Sequence, residues 1–316
     1  MAEAAPGVWL GEGSGAVGLV LARPARLLGV EPFFMEFIAG IDQVLSGRGL
    51  SILLHIVDTH DAEIAAYRRW AERRLVDAVV VVNLERDDPR PAVLRGLALP
   101  SLVVGNLPAT DLPSLRSDDA GAEKVALSHL LSLGHRRIGR VSGPAGLLHT
   151  VARTGALQEV CDEVGIEPVV LEGDYSAESG EALTRELLGL PHRPTAILYD
   201  NDVMAIAGLR AAGEQGVPVP QELSLLAWDD SALCRLSLPA LTTMTVDVHE
   251  YGLRVAASVL ELVQGQPVTE RWSPTARLTV RDTTARAPDD TASDDAASDP
   301  GATGDAPRGR AGAVAS

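Results

Sequence analysis

The sequence predicts an α/β protein of two lobes, each a parallel sheet flanked by helices. Three observations carry this. Short apolar runs of strand length alternate with segments of helical spacing along most of the 316 residues. The alternation restarts at Gly134, so the same pattern is met twice. The polar residues richest in chemistry sit at the carboxyl ends of the runs, where open parallel sheets hold their ligands.

Residues 1–15 read as a flexible arm rich in Gly and Ala. Its GEGSG stretch (11–15) precedes a strand and opens no helix, the reverse of a dinucleotide fingerprint. Ala16 to Ala22 is the first strand. Pro32 sits near a helix start, and Phe33, Phe34, Phe37, Ile38, Ile41 and Leu45 form a stripe at helical spacing that Gly47 and Gly49 close. Ser51 to Val57 is a strand, Asp61 to Leu75 a helix, and Ala78 to Val82 and Leu99 to Val104 are strands. A short strand over Leu115 to Ser117 leads through Asp118 and Asp119 into a helix from Ala120 to Leu133.

The second round opens with a strand over Arg137 to Ser142. A helix over Thr150 to Val164, a strand over Pro168 to Glu172 and a helix over Ala177 to Leu188 follow. Ala196 to Tyr199 is too short and apolar for a helix. Asp200, Asn201 and Asp202 come next, and each can cap a helix because a short side-chain oxygen satisfies the open backbone N–H groups. The helix Val203 to Gln215 stops at Gly216, and Pro218 and Pro220 forbid its return. Leu223 to Trp228 is a buried strand ending in Asp229 and Asp230. Leu241 to Val246 is a crossing strand, His249 to Gln264 a helix and Ala276 to Arg281 the last strand.

Residues 286–316 contain one Val and no other large apolar side chain, with six Asp against three Arg. Burial cannot offset the cost of ordering such a segment, so a disordered tail is expected. The whole chain holds 27 basic and 43 acidic residues, a formal charge of −16. That charge repels phosphate backbones and makes the chain as written a poor nucleic-acid binder. Cys161 and Cys234 are the two cysteines; both are expected as buried thiols in a reducing compartment. No secretory leader and no apolar run of membrane-spanning length is visible, so a cytoplasmic protein without membrane contact is expected.

Five loops gather chemistry at strand carboxyl ends: Glu31 to Phe34, His149 with Arg153, Asp174 with Tyr175, Asn201 with Asp202, and Asp229 with Asp230. Acids, an Arg and an Asn beside a Tyr and two Phe suit a sugar or small polyol. Charged forks bind vicinal hydroxyls, and aromatic faces cover the C–H surface of the ring. Of Phe33 and Phe34, one is expected at the cleft and one in the core. Asn201 and Asp202 serve either as ligand contacts or as helix caps, and Asp230 either binds ligand or pairs with an Arg. Arg153 lies early in its helix, where the macrodipole disfavours a cation, which favours a functional role. No Cys-x-x-Cys, His-Glu-x-x-His, Gly-x-Ser-x-Gly or Walker pattern is present. Neighbouring Asp229 and Asp230 point to opposite faces of an extended chain and make a poor acid/base pair. Enzymatic activity, a cofactor and a metal are therefore not expected.

Seven stretches in order resemble the effector-binding core of the lactose/galactose-repressor (LacI/GalR) family of bacterial transcription regulators: EPFF (31–34), SDDAGAEKVALSHLLSLGHRRIGRVSGP (117–144), VARTGAL (151–157), EGDYSAESG (172–180), DNDVMA (200–205), VPVPQELSLLAWDD (217–230) and LSLPALTTM (236–244). The resemblance implies a two-lobed, type I periplasmic-binding-protein-like fold with three crossovers and an effector in the cleft. On that pattern the first lobe comprises 16–134 plus about 247–266, and the second 135–246 plus about 267–285. It further implies effector contacts from Phe33, Phe34, His149, Arg153, Tyr175, Asn201 or Asp202, and Asp229. Arg153 would be the clamp, Tyr175 an aromatic platform and Asp229 the acid on the effector. Glu31 stands where Asn is usual, Trp228 where Phe or Tyr is usual, His149 where a small hydroxyl often sits, and Val246 where Gln is frequent. The implied partners are a small-molecule effector of saccharide type, a second copy of the chain through first-lobe helices 32–47 and 61–74, and operator DNA. Nothing before Val17 matches the family's helix-turn-helix, so DNA contact is expected only through a reader outside this chain. The competing class is a solute-binding protein of a sugar transporter, which requires a secretory leader.

Overall fold

The computed structural model describes residues 13–24, 32–108 and 110–288. Residues 1–12 of the expected arm (1–15), Glu31 and the tail from 289 onward lie outside the described residues; within the arm, the Ser14 and Gly15 N–H groups donate to Asp77. Two six-stranded sheets form the frame. The first runs β11-β5-β4-β3-β1-β2 and the second β12-β10-β9-β8-β6-β7. The first sheet contains β1 (Ala16–Ala22), β2 (Ser51–Val57), β3 (Ala78–Val81), β4 (Ser101–Val104), β5 (Ser114–Arg116) and β11 (Arg271–Trp272). The second contains β6 (Ile138–Ser142), β7 (Val169–Glu172), β8 (Ala196–Tyr199), β9 (Ser224–Trp228), β10 (Thr242–Thr245) and β12 (Arg277–Thr279). All pairings are parallel except β10 with β12. In each sheet the first strand of the lobe lies between the second and third, so strand order reverses there and a crevice opens at the carboxyl ends.

The central strands are buried on both faces, as parallel strands covered by helices must be: β3, β8 and β9 have no exposed residue. Nine helices among the described residues provide the cover. They are α1 (Pro32–Ser46), α2 (His60–Arg73), α3 (Arg90–Gly96), α4 (Asp119–Ser132), α5 (Leu148–Glu163), α6 (Ala177–Leu188), α7 (Asp202–Glu214), α8 (Ala232–Leu236) and α9 (Val248–Val263). The Phe stripe of α1 buries Phe34, Phe37, Ile41 and Leu45 against β1, β3 and α9. Gly40 of α1 and Gly252 of α9 meet backbone to backbone: a Cβ on Gly40 would stand 2.2 Å from the His249 oxygen.

The structure corrects the lobe boundaries in two places. Helix α4 belongs to the second lobe, because Ala122, Ala126, Leu127 and Leu130 pack with Ile138, Leu157, Leu198 and Trp228. The first lobe's leading segment therefore ends near Ser117, not at 134. The sequence pattern restarts at Gly134, but the chain has already crossed one helix earlier. Strand β11 pairs with β5 in the first sheet, so only the part of 267–285 after Trp272 lies in the second lobe. The chain thus passes between lobes three times: after β5, between β10 and α9, and between β11 and β12. The lobes also touch directly. The Leu148 N–H donates to the Leu84 oxygen at 2.8 Å, and Glu85 bridges to Leu147.

Residues 286–288 are not part of a loose tail. The Ala287 N–H donates to Leu133 oxygen, and Ala285 bonds to Ser224 and His135. No helix among the described residues is long and apolar enough to cross a membrane.

Candidate functional site

The carboxyl ends of both sheets face one cavity of about 870 Å³ between the lobes. Arg23 follows β1, Asn83 follows β3, Gly105 and Asn106 follow β4, Asp200 follows β8 and Asp229 follows β9; all line it. Six of the eight residues expected at a ligand site come together there: Phe33, Phe34, His149, Arg153, Tyr175 and Asp229. Both Phe side chains reach the cavity wall. Phe34 is buried, stands edge-on to Phe33, and carries the Arg23 guanidinium 4.8 Å above its ring.

Asn201 and Asp202 do not line this cavity. Asn201 caps α7 by accepting from the Met204 N–H at 2.9 Å, and its amide donates to the Tyr175 oxygen at 3.1 Å. Asp202 accepts from the Ser231 N–H at 3.0 Å and borders a smaller hollow of about 180 Å³ instead. Their expected ligand contact gives way to capping and loop bracing, because the residue that directly follows β8 is Asp200. Asp230 pairs with Arg281 at 2.7 Å, the bracing alternative.

Two of the expected residues hold unusual backbone. Tyr175 has φ of 70° and Asp229 φ of 68°, the left-handed region that L side chains avoid. Each costs about 1–2 kcal/mol, a strain that clusters at ligand clamps. At Tyr175 the turn brings the ring against Gly143, where a Cβ would lie 2.2 Å from the phenol oxygen. The Tyr175 hydroxyl and His149 Nε2 share a hydrogen bond of 2.8 Å. Burial, assisted by the nearby Arg153 charge, pushes the His149 imidazole down to about 4, so it is neutral at physiological pH.

Arg153 projects from the second turn of α5. Its Nε and Nη2 donate to Asp119 Oδ1 at 3.2 and 2.9 Å, and its guanidinium lies 3.4 Å from the centroid of the Trp228 ring. Burial alone would raise the Asp119 carboxyl, yet Arg153, His149 and Ser117 together hold it below the usual carboxylate range. Beneath these, Arg140 and Asp200 form an ion pair with both side chains fully buried. The wall thus sets charged and hydrogen-bonding groups beside aromatic faces, a lining whose chemistry suits hydroxyl groups. Among the described residues no three His, Cys, Asp or Glu side chains converge as a metal group.

Arg23, Asp119, Asp200, Tyr251 and Trp272 also line the cavity and were not among the expected contacts. Arg23 and Asp200 carried a readable signal, since each directly follows a strand. Asp119, Tyr251 and Trp272 carried none, because the crossovers that bring them in are set by tertiary structure.

Residues 127–284 match the model of the periplasmic binding protein-like domain. The regulator AglR of Rhizobium meliloti is 30% identical over 87% of this chain and 79% of its own length. This chain belongs to the LacI family. The regulator CelR of Thermobifida fusca is 27% identical to this LacI-family chain over 79% of the chain and 75% of CelR. Among solved structures, a LacI family transcriptional regulator from Bifidobacterium animalis superposes with a TM-score of 0.80 at 35% identity, covering 87% of this chain and 99% of that one. The complex of CelR with cellobiose superposes with a TM-score of 0.77 at 26% identity, covering 85% and 84%. The LacI-family assignment accords with the two sheets, three crossovers and interlobe cavity, and favours a regulator over a transporter's solute-binding protein.

Proposed function

We propose that the interlobe cavity of this LacI-family regulator binds a saccharide effector, and that occupancy sets the operator affinity of the regulator's helix-turn-helix. The observation that carries the reading is the convergence of Phe33, Phe34, His149, Arg153, Tyr175 and Asp229 on one cavity. Aromatic faces there stand beside hydrogen-bonding groups that are already oriented. Its volume of about 870 Å³ lies toward the upper end of the roughly 300–1,000 Å³ typical of small-molecule clefts, with room for more than one sugar ring. The similarity to the CelR–cellobiose complex supports a saccharide as the class. Arg153 and Asp229 are the proposed hydroxyl contacts from the second lobe, and Phe33 and Phe34 the apolar cover from the first. Asn201 and Asp202 act indirectly by shaping the Tyr175 and Asp229 loops.

A thermal-shift screen of mono- and disaccharides, cellobiose included, tests this. A binding sugar raises the melting temperature with concentration as linkage requires. Calorimetry then compares wild type with Arg153→Ala. If no saccharide shifts the wild type, the assignment of the cavity to sugars fails.

We further propose a cytoplasmic homodimer of two-fold symmetry. Exposed Met35 on α1, Leu236 at the end of α8 and Leu238 just after it, the last two at 75% and 93% exposure, are apolar surface suited to a partner copy. Sedimentation that finds only the 33.2 kDa species at micromolar concentration would count against it.

A further inference from the structure

Helix α4 carries a second carboxylate aimed at the clamp. Asp119 and Glu123 are four residues apart, so they share one helical face. Asp119 holds Arg153. Glu123, fully buried, accepts the Trp228 indole N–H on Oε2 at 2.9 Å. The Arg153 guanidinium rests on the same indole, 3.4 Å from the ring centroid. Four residues from α4, α5 and the end of β9 thus close a ring of contacts.

Each contact in that ring removes a different freedom. Both Arg153 donors converge on the single oxygen Asp119 Oδ1, which leaves the guanidinium plane able to pivot about that atom. The flat face of Trp228 removes the pivot. The indole can in turn rotate about its own side-chain bond, and the Glu123 hydrogen bond stops it. Glu123 Oε1 is buried with no hydrogen-bond partner. Burial raises its carboxyl above the usual range, so this acid keeps its proton further up the pH scale than a solvated one.

We infer that Glu123 is a positioning residue of the effector site: by holding the Trp228 indole it fixes the plane of the Arg153 guanidinium. The inference rests on the reading of Arg153 as an effector clamp. Glu123 itself does not reach the cavity wall, and its effect passes through Trp228.

The experiment uses the full chain, with Glu123→Gln and Glu123→Leu. Both match the glutamate in size; Gln keeps an acceptor for the indole N–H and Leu does not. The first readout needs no ligand. A guanidinium stacked on an indole has its Nε–H resonance displaced by the ring current, and Arg153→Lys identifies that resonance. The displacement should persist in Glu123→Gln and collapse toward the solvent value in Glu123→Leu. The second readout is calorimetry with cellobiose, maltose and glucose. Glu123→Gln should bind within about twofold of wild type and Glu123→Leu about tenfold more weakly, the order expected for one hydrogen bond in a charged site. Should Glu123→Leu fail to fold, Glu123→Ala removes the acceptor with less bulk, keeps the indole, and should give the same two losses. An unchanged Arg153 resonance in Glu123→Leu, or in Glu123→Ala, overturns the inference. Equal weakening by Gln and Leu also overturns it, because Glu123 would then matter for its charge and not as an acceptor. If none of the three sugars binds wild type, the saccharide reading suffers while the ring-current result still decides the role of Glu123.

Discussion

Replacing Asp200 by Asn should destabilise the chain severely and leave effector binding nearly intact. Asp200 lines the cavity, so a ligand contact is the obvious alternative. Its hydrogen bonds argue otherwise. Arg140 reaches it through Nε at 3.0 Å and through Nη2 at 2.8 and 2.9 Å, and the Gly143 N–H donates to Oδ2 at 2.9 Å. Both side chains of the pair are fully buried. Removing one charge of such a pair strands the other in a low dielectric, at a cost of about 3–5 kcal/mol. At about 2 °C per kcal/mol for a chain of this length, the melting temperature should fall by roughly 6–10 °C. Urea unfolding of the ligand-free chain measures the loss directly. A double variant, Arg140→Met with Asp200→Leu, should recover most of it, since a buried pair replaced by apolar groups of similar volume is often neutral. A stability change in Asp200→Asn below about 1 kcal/mol, the scale of a surface ion pair, together with a large loss of affinity, would refute the reasoning and make Asp200 an effector contact.

Asp229→Ala should show the reverse pattern, with affinity lowered by about 10- to 100-fold as one or two charged hydrogen bonds are lost. Its folding should survive; calorimetry paired with melting of the apo chain separates the two effects. The His149 imidazole titrates near 6.5 when unfolded and near 4 when folded. Its contribution to stability is therefore complete above about pH 6.5 and declines as pH falls toward 4. Melting in that window should flatten in His149→Gln, and an unchanged slope would count against a buried neutral imidazole. A chain ending at Thr284 should melt below one ending at Pro288, because it loses the bonds of Ala285 and Ala287 to Ser224, His135 and Leu133, each worth about 0.5–1.5 kcal/mol. Equal melting would mean those bonds are not formed in solution. At a net charge of −16, the chain as given should show no salt-dependent retention of any single defined DNA duplex in a mobility assay.

The fold was legible in the sequence wherever one element filled one run of apolar residues. Strands β1, β2 and β8 and helix α6 have the bounds that periodicity alone suggests. Three short elements escaped. Helices α3 and α8 span seven and five residues, too few for a periodic stripe, and β11 is two residues long and defined only by its pairing with β5. The lobe boundary at 134 failed for a related reason. Whether α4 covers the first sheet or the second depends on where the chain crosses, and an amphipathic stripe does not say which sheet it will meet.

The site divides along the same line. Residues that directly follow a strand are placed by the sheet itself, so Asp229 could be named from a strand end, and Arg23 and Asp200 could have been. Residues one position further on are not so placed. In the run Asp200, Asn201, Asp202, the first faces the cavity, the second caps α7 and the third braces the Ser231 turn. Three adjacent polar residues thus take three different tasks, because the chain turns from strand to helix within them. What distinguishes the tasks is a partner distant in sequence: Arg140 for Asp200, Tyr175 for Asn201 and Ser231 for Asp202. Arg140 lies inside β6, where a lone arginine amid apolar residues already called for a buried acid. That requirement selects Asp200, the acid that ends the adjoining strand β8, over its two neighbours.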